Sequence, residues 1–246
     1  MAGRGISPKD LAGLAIERLR GLADPARAAG ARRYFKGTIE TYGTTAPQIR
    51  GLAAELYASV KGYWAVGDAV ALCDILFAEP ELESKAVGIV ILGRFKKEFP
   101  RSLFGKVKGW LAADLLDNWA SVDVLCADAM GAFLEKYPEY AERIKSWSGH
   151  PNRWVKRASA VSFIKPARKG VFLAEAYDLA VSLFPADDDL VRKADGWLLR
   201  EAGKTDPKRL ERFLLEHGPA IPRTTLRYAI ERFDEKTRKR LLVETR

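Results

Sequence analysis

Histidine, cysteine and methionine each occur only twice in these 246 residues. His150 and His217 lie far apart, each beside turn residues, so both read as loop residues and no metal centre can be assembled around them. Cys73 and Cys126 fall inside apolar stretches, as small buried hydrophobes of a reducing compartment, and imply no disulfide framework. No apolar run approaches the roughly 20 residues that a membrane span needs, and the start, Met1 to Gly5, lacks the apolar core of a signal peptide. The expected location is the cytoplasm. The GxxxxGKS/T, GxGxxG and GxSxG signatures are missing as well, which leaves nucleotide-binding and nucleophilic-serine chemistry unsupported. No cofactor and no metal are expected.

Sustained two-residue alternation is also absent. Apolar residues recur instead every three or four positions, as in Leu11, Leu14, Ala15, Leu19 and Leu22, the period of helices with one buried face. Prolines punctuate the chain at Asp24-Pro25, Glu79-Pro80, Tyr137-Pro138, His150-Pro151, Lys165-Pro166, Asp206-Pro207 and Gly218-Pro219, where short turns should separate the helices. The reading is all-α.

Those helices repeat. A basic-plus-small pair returns as Arg50-Gly51, Lys85-Ala86, Arg157-Ala158 and Lys193-Ala194, with Ser121-Val122 and Tyr228-Ala229 in the same register; the steps are 35, 36, 36, 36 and 35 residues. A period between about 20 and 50 residues marks a stacked repeat. The expectation is a superhelical solenoid of about six helical hairpins, forming a single domain over residues 1–246. In each hairpin the second helix carries the pair: 81–95, 119–135, 152–164, 190–202 and 222–233. The small residue should let the neighbouring repeat approach, while the basic head reaches solvent along a concave groove.

Charge says what such a groove would meet. The chain carries 41 Lys+Arg against 32 Asp+Glu, a net +9, and residues 191–246 hold 15 basic against 9 acidic side chains. A basic excess of this size fits nucleic acid before membrane, although it also keeps a repeat array soluble. On the register helices one set could act on such a ligand. Trp119 and Asp123 stand four apart and so share a helix face. Arg157 occupies the register position of the next repeat and Trp197 lies four residues past that of the one after, so side-by-side packing could bring all four to one patch. Trp64, Trp110, Trp147 and Trp154 read as packing residues.

Three stretches, Trp119-Ala-Ser-Val-Asp123, Asn152-Arg-Trp-Val-Lys-Arg157-Ala158 and Gly196-Trp197-Leu-Leu-Arg200-Glu201, resemble the alkylpurine DNA glycosylases built from HEAT-like repeats (AlkD-like DNA alkylation repair proteins). The resemblance runs from about Tyr34 to Phe233. It implies a catalytic cleft of Trp119, Asp123 and Trp197, a phosphate contact at Arg157 and a cleft-edge tyrosine at Tyr34; the other inner-face register cations, Lys193 and Arg50, are expected to bind DNA phosphates as well. The sequence departs from the family pattern at Ala120, where well-known members carry an acid, and at Asp195, where an apolar residue is usual.

The resemblance further implies a monofunctional DNA glycosylase that hydrolyses the N-glycosidic bond of cationic N3- or N7-alkylated purines in duplex DNA, as a monomer, in an open cleft. The competing reading is a non-catalytic repeat protein that only binds DNA, since helical repeats are mostly interaction surfaces.

Overall fold

The computed structural model describes residues 5–35 and 39–246. Its helices are α1 (Pro8–Gly21), α2 (Pro25–Tyr34), α3 (Ala46–Val60), α4 (Val66–Leu76), α5 (Leu82–Arg94), α6 (Leu103–Ala112), α7 (Trp119–Leu125), α8 (Gly131–Lys136), α9 (Ala141–Lys145), α10 (Arg153–Arg168), α11 (Leu173–Leu183), α12 (Asp189–Ala202), α13 (Pro207–His217), α14 (Arg223–Ala229) and α15 (Glu235–Glu244). Short 3-10 turns join several of them, and Cys126–Met130 winds as a π-turn. Among the described residues there is no β-strand beyond an isolated bridge between Glu40 and Glu81. The all-helical expectation holds.

Local sequence explains where these helices begin. Ser7, Asp24, Thr45, Asn118, Asn152, Asp188, Asp206 and Asp234 each accept a hydrogen bond from an amide of the following first turn. Side-chain oxygens at this position satisfy amides that the helix itself leaves unpaired. Pro8, Pro25 and Pro207 sit just inside their helices, where the missing N–H costs nothing. Lys165-Pro166 behaves otherwise: α10 continues through Pro166 to Arg168. Pro166 and Ala167 are both buried there, so packing holds the last turn.

Contacts divide the chain into two units, Met1–Ala129 and Met130–Arg246. In the first, the helices carrying the register pair, α3, α5 and α7, pack each on the next. In the second, α10, α12 and α14 do the same. The period is written into polar ties as well. Arg18 meets Glu55, Trp110 donates to Asp74 and Lys85 meets Asp117 at separations of 37, 36 and 32 residues. Lys169–Glu135, Arg168–Glu201 and Thr225 to the Arg192 carbonyl follow at 34, 33 and 33.

The register pair plays a different part from the one its sequence suggests. Its small member is buried at Val122, Ala158, Ala194 and Ala229, yet Gly51 is exposed and Ala86 half-buried. Two basic members turn inward. Lys85 is 4% exposed and pairs with Asp117 at 3.0 Å, and Arg157 is 5% exposed with its guanidinium donating to the Leu190 carbonyl. A cation beside the start of the next register helix satisfies a carboxylate or carbonyl there. That gain replaces exposure to water.

Candidate nucleic-acid interface

In the first unit Trp119 and Asp123 lie on α7, and Tyr34 meets the start of that helix. Asn118 caps that helix by accepting the Ser121 amide at 2.9 Å. Asp117, the residue before the cap, is held by Lys85. Trp119 follows, half-buried, and Asp123 lies half-buried one turn further on the same face. The rings of Tyr34 and Phe35 reach Trp119 from the end of α2. Phe35 stacks on the indole, with centroids 5.0 Å apart and planes at 14°. Tyr34, 71% exposed, meets it edge-on at 6.0 Å and 68°. Arg50 stands exposed on α3.

α5 braces this arrangement from behind. Glu83, 2% exposed, accepts hydrogen bonds from the Thr41 hydroxyl and from the amides of Tyr42, Gly43 and Thr44 at 2.6 to 3.1 Å. The Asp24 amide, at the N-cap of α2, donates to the Tyr42 carbonyl at 2.8 Å. Gly43 makes the turn possible: its φ is +79°, and a Cβ would lie 2.3 Å from the Asp24 carbonyl oxygen. Glu83 thus organises the turn against α2, while Lys85, two residues on, holds the residue before the α7 cap.

In the second unit Arg157, Lys193 and Tyr228 occupy the same register position on α10, α12 and α14. The Lys193 ammonium feels the charges of both other residues, which places the three within electrostatic reach. Lys193 pairs with Asp189 at 2.8 Å; that hydrogen bond raises the lysine above its usual range and lowers the carboxyl. Trp197 is half-buried one turn beyond Lys193, on the same stripe of α12.

Gly196 lets α12 and α14 meet: a Cβ there would stand 2.4 Å from the Thr225 carbonyl oxygen and 2.5 Å from the Tyr228 Cβ. Asp195 beside it is fully buried, and burial drives its carboxyl far above the usual range. Thr225 is near enough to oppose that shift, but its hydroxyl already donates to the Arg192 carbonyl and the Asp195 oxygens have no hydrogen-bond partner. The carboxyl therefore favours its protonated form.

The tryptophans separate as the sequence suggests. Trp64, Trp110, Trp147 and Trp154 are 1 to 8% exposed, whereas Trp119 and Trp197 keep part of their rings at the surface. Phe35 and Tyr228 are the neighbours that sequence reasoning did not single out. Tyr228 had a signal in its register position. Phe35 had only its place beside Tyr34. Among the described residues no group of three or more His, Cys, Asp or Glu could hold a metal ion, and no helix is long and apolar enough to cross a membrane.

A family profile described as "DNA alkylation repair enzyme" matches residues 15–233. Among solved structures the chain is similar to a predicted DNA alkylation repair enzyme from Enterococcus faecalis, with a TM-score of 0.76 and 18% identity over 87% of this chain and 97% of that one. At that identity the likeness speaks for the fold. No curated protein sequence matches the chain.

Proposed function

The chain belongs to the DNA alkylation repair enzyme family, and from that premise we propose that it is a monofunctional DNA glycosylase releasing cationic N3- or N7-alkylated purines from duplex DNA. The observation that carries this reading is the pairing of a part-exposed aromatic ring with a part-exposed carboxylate one turn away, Trp119 and Asp123.

Alkylation at N3 or N7 makes the purine a cation and hence a ready leaving group. As the N-glycosidic bond breaks, its electron pair moves onto the base, which leaves neutral, and positive charge develops on the deoxyribose. Water adds at the anomeric carbon and gives up a proton, leaving an abasic site. Asp123 is the carboxylate that would face the cationic sugar and receive that proton. At about 4 Å and an effective dielectric of about 20, its attraction amounts to about 4 kcal/mol, roughly a thousandfold in rate when gained only in the transition state.

Trp119 offers the negative face of its ring to the same cation, for about 0.5–2 kcal/mol, and Trp197 would offer a second aromatic surface to the DNA. Lys193 and Arg50 would contact phosphates. Arg157, nearly buried, would add its field beside Lys193. Such contacts give affinity that depends on salt and little on sequence. The protein is proposed to work as a monomeric single domain in the cytoplasm, with no metal or cofactor.

The experiment is release of alkylated bases from methylated duplex DNA by the wild type and by Asp123→Asn, each with a binding titration. Turnover should fall about a thousandfold in the variant with affinity retained. Binding by both without release from either would favour a non-catalytic DNA-binding repeat protein instead.

A further inference from the structure

Resting on the glycosylase reading, we propose that Phe35 is a positioning residue for the reaction: it backs the Trp119 indole and sets the plane that the ring presents to the lesion. The nearly parallel stack covers one indole face, so a sugar or base meets Trp119 on the face that Phe35 leaves uncovered. An aromatic side chain has two soft torsions, and a ring stacked behind it removes most of that freedom. Asp123 lies one turn on along the same helix face.

A stacked ring could equally be a plug that must swing away. The supports behind it argue for a fixed wall. Glu83 gathers four donors from the Thr41–Thr44 turn, that turn is bonded to the N-cap of α2, and Phe35 directly follows α2 at its other end. Lys85 holds Asp117, immediately before the cap of α7, and α7 carries Trp119. Glu83 and Lys85 are both buried and stand two residues apart on α5. One short segment of helix therefore holds both partners of the stack. Displacing α2 as a body, and Phe35 with it, would strain several hydrogen bonds to a buried carboxylate, a larger loss than the stack itself represents.

The test is a double-mutant cycle of Phe35→Ala and Trp119→Ala, with Phe35→Tyr as the conservative variant, read as single-turnover release of N7-methylguanine from a duplex. Phe35→Ala should slow the maximal rate about two- to tenfold, the strength of one stacked aromatic pair, with little change in the half-saturating DNA concentration. Phe35→Tyr should restore the rate, and Phe35→Ala should add nothing once Trp119 is gone. Faster release by Phe35→Ala would identify a plug, and a loss that persists in the Trp119→Ala background would place its action elsewhere; either overturns the proposal. Should the wild type release nothing, the glycosylase reading fails first, and the cycle is read on affinity for the methylated duplex. Non-additive losses there sustain Phe35 as the backing of Trp119, and additive or absent losses overturn it.

Discussion

Replacing Gly196 by alanine sets two effects of known size against each other. Alanine in a helix interior is favoured over glycine by up to about 1 kcal/mol. The new Cβ, however, would stand 2.4 Å from the Thr225 carbonyl oxygen and 2.5 Å from the Tyr228 Cβ, where ordinary contact begins at 3.4 Å. Neither obstacle is the loose end of a side chain: one is backbone and the other the root of a ring. α12 and α14 must separate by about 1 Å, and overpacking of this kind costs about 1–3 kcal/mol. The strain should win, with a net loss of about 1–2 kcal/mol and a fall in Tm of about 2–8 °C for a chain of this size. Gly105→Ala in α6 supplies the control, because nothing lies within 4 Å of its Cβ; only the propensity gain operates and Tm should rise by about 1–4 °C. Thermal unfolding of the two variants beside the wild type decides it. A rise in Tm for both would refute the close approach of α12 and α14.

Lys193→Ala should weaken binding to any duplex sequence alike and lower the slope of log affinity against log salt by about 0.9, as one phosphate contact is lost; titrations across a salt series measure it, and an unchanged slope removes Lys193 from the interface. Asp195 gives a pH dependence whose sign is fixed by its raised folded-state pKa. The folded protein holds that proton more tightly than the unfolded chain, so stability is full below the ordinary carboxylate value of 3.8 and is lost as pH rises from there toward the folded value. Urea midpoints of Asp195→Asn should therefore fall less between acid and neutral pH than those of the wild type, and parallel profiles would contradict the burial of an unpartnered carboxyl.

Much of this could be read from the chain because repeats report themselves. The 35- and 36-residue steps of the register pair locate the helices that pack on one another, and the capping residues mark the first turns. The separation of the tryptophans does not follow from the register alone: Trp154 stands three residues from Arg157, nearer its register position than Trp197, yet it is 8% exposed. What sequence could not supply was the destination of long side chains. Lys85 and Arg157 look like surface cations until the next repeat places a carboxylate or a carbonyl 32 or 33 residues away. Phe35 escaped notice because its partner, Trp119, lies on a different helix far along the chain and outside the period. No local pattern encodes that meeting. The continuation of α10 through Pro166 was hidden likewise, since the packing that sustains it is tertiary.

The ties between hairpins bear on how the chain acquires its structure. Each closes a loop of about one repeat, between 32 and 37 residues for Arg18–Glu55, Trp110–Asp74, Lys85–Asp117, Lys169–Glu135 and Arg168–Glu201. The entropy of closing a loop grows only with the logarithm of its length, so every such step meets nearly the same barrier wherever in a unit it occurs. A ribosome that has released two adjacent hairpins has already released everything those hairpins need from one another. Assembly can then proceed by accretion as the chain emerges, each new hairpin docking on a finished neighbour and none waiting for the far end.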